Sequence, residues 1–171
     1  MNKLFIVIFI HLFVAFALHA ADETGWNKVQ WGMTPEQIIE AYPEAHAPAK
    51  LEDYKLLGEY FRAPLGIESF DLAGSAYKVS FLMDGKNTLA GVILSRNGAS
   101  NFSADANTLE KLLTQKYGPP TNTKDTESAH SIIWSRQGVT ITLNNISMPA
   151  ISSYGIRLIY LRPNTAALDK L

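Results

Sequence analysis

The chain has 171 residues, with 15 Lys and Arg set against 16 Asp and Glu for a formal charge of −1, and it contains no cysteine. Both signs of charge are scattered, which excludes the basic stripe of a nucleic-acid binder and a polybasic membrane patch. The missing cysteine excludes a disulfide framework, thiol chemistry and a lipid-modified cysteine behind a leader. The first element in chain order is such a leader. Lys3 is followed by an apolar run from Leu4 to Leu18, broken by His11, and then by the small residues Ala20 and Ala21 ahead of Asp22 and Glu23. A cation, a short apolar stretch and small residues at the boundary predict a secretory signal peptide over residues 1–20, with cleavage after Ala20 or Ala21. The run is short for a membrane span, which needs roughly 20 apolar residues. Residues 21–171 are then expected to form a single domain that buries roughly two thirds of its unfolded surface.

Trp26 to Trp31 reads as a short extended lead with Val29 and Trp31 on one face and Trp31 filling core. The stretch from Trp31 to Pro43 then carries a complete helix instruction. Thr34 is an N-cap, Pro35 occupies the first helical position, Gln37 at N3 closes a capping box, and Met33 with Ile38 forms a hydrophobic staple. Pro43 ends the helix, because the residue before a proline is pushed out of the helical region. Ile38, Ile39 and Tyr42 are expected on the buried side. Glu36, Glu40 and Glu44 recur on another side and read as a solvated acidic face rather than a cation site.

Glu44 to Glu52, which includes His46, is expected as a loop. Strand-like runs follow at Tyr54–Arg62 and Ile67–Leu72, separated by a turn at Ala63, Pro64, Leu65 and Gly66. After a break at Ala73, Gly74 and Ser75, Tyr77, Val79, Phe81 and Met83 alternate with Lys78, Ser80 and Leu82. Asp84–Asn87 turns the chain, and Leu89–Arg96 returns, which makes an antiparallel hairpin. Gly91 reads as a bulge or as a close approach by Tyr77 or Phe81. A second helix has Leu109, Leu112, Leu113 and Tyr117 on one face, begins at Asn107 or a turn earlier at Ser103, and stops at Gly118 with Pro119 and Pro120 behind it. Thr121–Ala129 is expected as a polar loop. Ile132–Leu143 reads as a second hairpin around Arg136–Gly138, Asn145–Tyr154 as a long connection, Ile156–Leu161 as a central strand, and Asn164–Leu171 as a frayed tail. The fold class is α+β: an antiparallel sheet of about six or seven strands with two helices packed on it, after an N-terminal signal peptide.

The opening Gly32, Met33, Thr34, Gln37, Ile38 and the helix ending Tyr117, Gly118, Pro120 resemble small exported bacterial proteins of uncharacterised function, and distantly the SmpA/OmlA (BamE) outer-membrane assembly lipoproteins and the β-lactamase-inhibitor-protein-like fold. The resemblance implies a fold of sheet and helices in an exported protein; the absent catalytic motifs and a sheet-plus-helices plan suited to presenting a concave face point to a binding module. Those lipoproteins carry a cysteine after the signal and this chain has none, so their membrane anchoring does not carry over. The two halves of the chain also echo each other, each with a helix ended by an aromatic and a proline ahead of antiparallel strands.

No nucleophile elbow, H-E-x-x-H, phosphate-binding loop, dinucleotide fingerprint or EF-hand loop occurs. Behind the leader the histidines are His46 and His130, and a zinc site would need both to converge with a carboxylate. Ser100 or Ser131 with a histidine, and Glu59 with Glu68 on neighbouring strands, are the remaining candidates for hydrolytic chemistry. Asn101-Phe102-Ser103 and Asn145-Ile146-Ser147 match the glycosylation sequon. No catalytic, cofactor or metal residue is assigned. The expectation is an exported, periplasmic or secreted, non-enzymatic binding or envelope-interaction protein with no nucleic-acid partner and no membrane span after cleavage. The alternative is a small periplasmic hydrolase using Asp/Glu or Ser/His groups. A small-molecule or lipid carrier would instead require a cavity lined by residues such as Phe70, Phe81 and Tyr160.

Overall fold

Residues 24–48, 61–98 and 102–163 are described by the computed structural model of the chain. The expected signal peptide, the strand-like run at 54–60 with Glu59, Ser100 and Asn101, and the tail at 164–171 lie outside the described residues. A two-stranded hairpin opens the fold, β1 (Gly25–Trp26) and β2 (Val29–Gln30), with Asn27 at a φ of 51° in its turn. Helix α1 (Pro35–Ala41) follows. The backbone N–H of Thr34 donates to Gln37 Oε1 at 2.9 Å and the N–H of Gln37 donates to Thr34 Oγ1 at 3.5 Å, so the capping box forms as expected. Tyr42 closes the helix directly before Pro43. Ile38 and Tyr42 are buried, but Ile39 is 43 % exposed, because a helix of only seven residues turns a single narrow stripe to the sheet.

Strands β3 (Arg62–Leu72), β4 (Ser75–Met83), β5 (Leu89–Asn97), β6 (Asn122–Asp125), β7 (Ala129–Arg136), β8 (Val139–Met148) and β9 (Ser153–Leu161) form one antiparallel sheet in the order β3-β4-β5-β9-β8-β7-β6. Helix α2 (Phe102–Tyr117) links β5 to β6 and packs on β7, β8 and β9. The order shows two copies of one plan. A helix precedes the meander β3-β4-β5, another precedes β7-β8-β9, and the two meanders join through their last strands, β5 and β9. The α+β class, the two helices and the count of seven strands agree with the sequence pattern, and the small β1-β2 sheet is additional.

Several boundaries differ from expectation. The turn foreseen at Ala63–Gly66 does not form, and β3 runs straight through it. Pro64 is accommodated because β3 is an edge strand and its register shifts between Arg62 and Leu65, where a ladder N–H is not required. Within the loop that follows α1, His46 exchanges two backbone hydrogen bonds with Gly66, at 3.0 and 2.9 Å. The polar stretch at Thr121–Ala129 contains β6, whose residues are all exposed; a short polar strand closes the sheet edge against further pairing. The connection at Asn145–Tyr154 shrinks to a single 3₁₀ turn at Pro149–Ile151 and a left-handed Ser152, since β8 and β9 pair as far as Met148 and Ser153. Helix α2 starts at the earlier of the two expected places, and Leu112 is 45 % exposed rather than buried. Gly91 does lie beside a register shift, but a Cβ there would meet Leu161 and Leu82 side chains and the Tyr160 carbonyl, not Tyr77 or Phe81.

The main core lies between the sheet and the helices, around Tyr77, Val79, Phe81, Trp134, Ile141 and Leu143. A smaller cluster, including Phe61, Leu82, Ile93 and Ile159, sits on the opposite face. There the surface becomes polar toward β8, at Thr140, Thr142 and Asn144.

Candidate ligand cleft

A seven-residue helix spans about 10 Å, whereas strands of nine to eleven residues span about 30 Å, so α1 alone cannot roof the β3-β4-β5 meander. The β1-β2 hairpin supplies the remaining cover through one side chain. Trp26, 8 % exposed, has its ring 5.2 Å from Phe70, 5.9 Å from Tyr42 in a stacked arrangement, 6.3 Å from Phe81 and 6.5 Å from Tyr160. Between this indole and α2 a seam stays open.

The seam is a cleft of about 490 Å³, within the range of about 300–1,000 Å³ common for small-molecule sites. One wall is Trp26 and Asn27 of the hairpin, a second is Phe70 to Ala73 at the end of β3, the third is α2, and the floor is Leu158 and Tyr160 of β9. Helix α2 contributes Leu109 and, one helical turn later, Leu112 and Leu113, with Lys116 and Tyr117 from its last turn. The Lys116 ammonium lies 5.0 Å over the Tyr117 ring. The Tyr160 side chain is almost wholly buried, and its phenol is held above its ordinary pKa by burial and then by the neighbouring Tyr117. Among the described residues no partner accepts a hydrogen bond from the Tyr160 hydroxyl.

Both ends of α2 are fastened. Near its start Arg96 of β5 forms an ion pair with Asp105, to which Ser75 donates a hydrogen bond at 3.3 Å. At its end Arg136 of β7 donates to the carbonyls of Tyr117 at 2.6 Å and Pro119 at 2.9 Å, and the Trp134 indole donates to the Gly118 carbonyl at 3.1 Å. A cation on the last carbonyls satisfies orphan acceptors and opposes the negative end of the helix dipole. Gly118, at a φ of 78°, makes the left-handed stop. Trp31 similarly ties the hairpin to the far half, its indole donating to the Gly138 carbonyl at 2.9 Å.

The residues considered for hydrolysis or metal binding do not come together. His46 sits outside β3, with Nε2 4.0 Å from Glu68, which itself pairs with Lys78 at 3.5 Å. His130 lies on β7, its Nδ1 2.5 Å from Asp125 Oδ1, in a shallow depression of about 290 Å³. Six strand spacings, roughly 30 Å, separate the two histidines. Ser131 follows His130 on the same strand and therefore faces the other side of the sheet. Among the described residues no three His, Asp or Glu gather in a metal-binding group. Glu36, Glu40 and Glu44 are all exposed. Asn145, in the second sequon, has its side-chain oxygen buried within β8. Among the described residues no helix is long and apolar enough to cross a membrane.

Of the cavity residues expected of a carrier, Phe70 and Tyr160 line the cleft, while Phe81 is buried beneath Trp26. The contributions of the hairpin and of Leu109, Lys116 and Tyr117 were not legible as a site. Their only sequence signal was an apolar helical face with a lysine and a tyrosine at its end.

The molecule is thus an α+β protein of two helix-and-meander halves with an apolar cleft along their junction. No protein-family model matches the chain, and no curated protein matches it. Among solved structures it is similar to a DUF4309 family protein (YjgB) from Bacillus subtilis subsp. subtilis str. 168, at a TM-score of 0.36 and 12 % identity over 73 % of this chain and 76 % of that one.

Proposed function

We propose that this is an exported, periplasmic binding protein that works without catalysis and takes a small apolar ligand in the cleft between the β1-β2 hairpin and α2. The observation that carries the reading is the cleft itself: about 490 Å³ of space walled by aromatic and aliphatic side chains, in a domain whose core is otherwise closed by large buried residues. The leader-like sequence at residues 1–20 supports export, and the likeness of Gly32–Ile38 to envelope proteins belongs with the same reading.

Titration with the neutral fluorophore N-phenyl-1-naphthylamine tests the site. Saturable binding of one molecule per chain is expected, and Leu112→Trp, which places an indole on an exposed wall position, is expected to abolish it while leaving the fold intact. A folded protein with no saturable binding overturns the reading. The mass of the chain recovered from a periplasmic fraction tests export: loss of residues 1–20 or 1–21 is expected, and a membrane-bound chain retaining Met1 overturns it.

A further inference from the structure

We propose that the ligand of this cleft is an apolar chain or ring carrying a single carboxylate, held at its acidic end by Lys116 and the tyrosine pair Tyr117 and Tyr160. The inference rests on the cleft being a ligand site and adds the chemistry that the site selects.

Three observations carry it. The first is the sign of the charge on the α2 wall: Lys116 is the cation of the lining, and it makes no ion pair among the described residues, its ammonium resting over the Tyr117 ring. A lysine in that position adds a positive charge to an otherwise uncharged wall. The second is Tyr160. Its side chain is more than nine-tenths buried, it forms part of the floor, and its hydroxyl has no hydrogen-bond acceptor among the described residues. Its O–H is therefore available to donate to an incoming oxygen, and the apolar walls of the cleft strengthen that hydrogen bond relative to one at an open surface. The third is the state of that phenol. Burial and the adjacent Tyr117 both keep it protonated, so it remains a donor and does not become a competing anion.

Donors and a cation therefore share the α2 side and the floor, and an acceptor with a negative charge matches both. Hydrogen bonds to a charged acceptor are roughly twice as strong as neutral ones, which favours a carboxylate over an alcohol. On the opposite wall stands Asp71, exposed at the end of β3, the lining's carboxylate. It disfavours a second acidic group on the ligand and fixes which end enters toward α2. Trp26, Phe70, Leu109 and Leu158 offer apolar surface to the ligand body.

Displacement of N-phenyl-1-naphthylamine by decanoate, 1-decanol and decyltrimethylammonium separates this inference from the one it rests on. Decanoate is expected to displace the fluorophore at least about tenfold more tightly than decanol, and the cation least well. Lys116→Met and Tyr160→Phe are each expected to remove most of the preference for decanoate while leaving the affinity for decanol within about twofold. Equal displacement by decanoate and decanol, both lost in Leu112→Trp, overturns the acid selectivity and leaves the cleft as an apolar site. Absence of fluorophore binding in the folded protein overturns both. Tighter binding of the cation than of decanoate also overturns the proposal, and assigns the charge selection to Asp71. Near-ultraviolet circular dichroism of each variant confirms that a lost preference is not a lost fold.

Discussion

The two helix-and-meander halves follow the same order of elements and solve the same packing problem differently. In the second half α2 has sixteen residues, about 24 Å, enough to lie along β7, β8 and β9, with Ala106, Leu109 and Leu113 buried against them. In the first half α1 has seven residues and buries only Ile38 within it. The difference is made up by Trp26 on a hairpin of two-residue strands, whose ring touches the rings of Tyr42, Phe70, Phe81 and Tyr160. A long helix closes its sheet continuously, whereas a short helix and a borrowed indole leave a seam. The cleft lies along that seam, so it follows from the unequal lengths of two helices that hold like places in the two halves.

The two tryptophans put the comparison to its hardest test. Trp134 is fully buried under α2, and Trp134→Ala is expected to cost about 3–5 kcal/mol in a urea unfolding experiment with an unchanged m-value. Trp26→Ala is expected to cost less, about 2–3 kcal/mol, because the space it leaves joins the existing cleft and can be wetted. It also enlarges the site and weakens the fluorophore. Equal costs would mean that the first half is as tightly closed as the second.

A smaller effect is expected from loosening the roof of the second half. Arg136→Ala removes the guanidinium from the carbonyls of Tyr117 and Pro119 and is expected to cost about 1–3 kcal/mol. Amide hydrogen exchange in the last turn of α2 should accelerate, and since Lys116 and Tyr117 stand there, fluorophore affinity should fall as well. Unchanged exchange in that turn would show that the helix end is held by packing alone.

The smallest effect belongs to the first half. Burial pushes the Asp84 carboxyl up, but the N–H groups of Thr88 and Lys86, the Thr88 hydroxyl and the Arg162 guanidinium at 3.1 Å outweigh it and hold the group below its ordinary value. A depressed folded-state pKa stabilises the fold above the unfolded value of about 3.9, and that contribution disappears as pH falls through the lower folded value. Stability should therefore decline below about pH 4, and Asp84→Asn should flatten that part of the profile. A profile identical in the variant would remove the β4-β5 turn from the account.

Local chemistry was legible where the chain satisfies itself within a few residues. Thr34, Pro35 and Gln37 cap α1 because the capping box closes within one turn, and Gly118 stops α2 for the same kind of reason. Turns were misread where a partner from elsewhere overruled local preference. Pro64 reads as a breaker, but at a sheet edge it costs no ladder bond, and Thr121–Ala129 reads as loop until β7 offers it a register. The site was the least legible part. Phe70 and Tyr160 announce an apolar strand face and nothing more, and Lys116 reads as a solvated helix terminus.

The sequence by itself determined the α+β class, the two helices, the two hairpins around Asp84–Asn87 and Arg136–Gly138, and the central place of Ile156–Leu161, because periodicity and turn chemistry act between neighbours along the chain. Only the tertiary structure decided that β5 and β9 join two like halves, that Arg136 at the end of β7 clamps the last turn of α2, 19 residues before it in the chain, and that a seam opens between Trp26 and α2. Those outcomes depend on how lengths of helix match lengths of strand across the fold. No local pattern carries that information, and the space left between the short roof and the long one is where the ligand is proposed to bind.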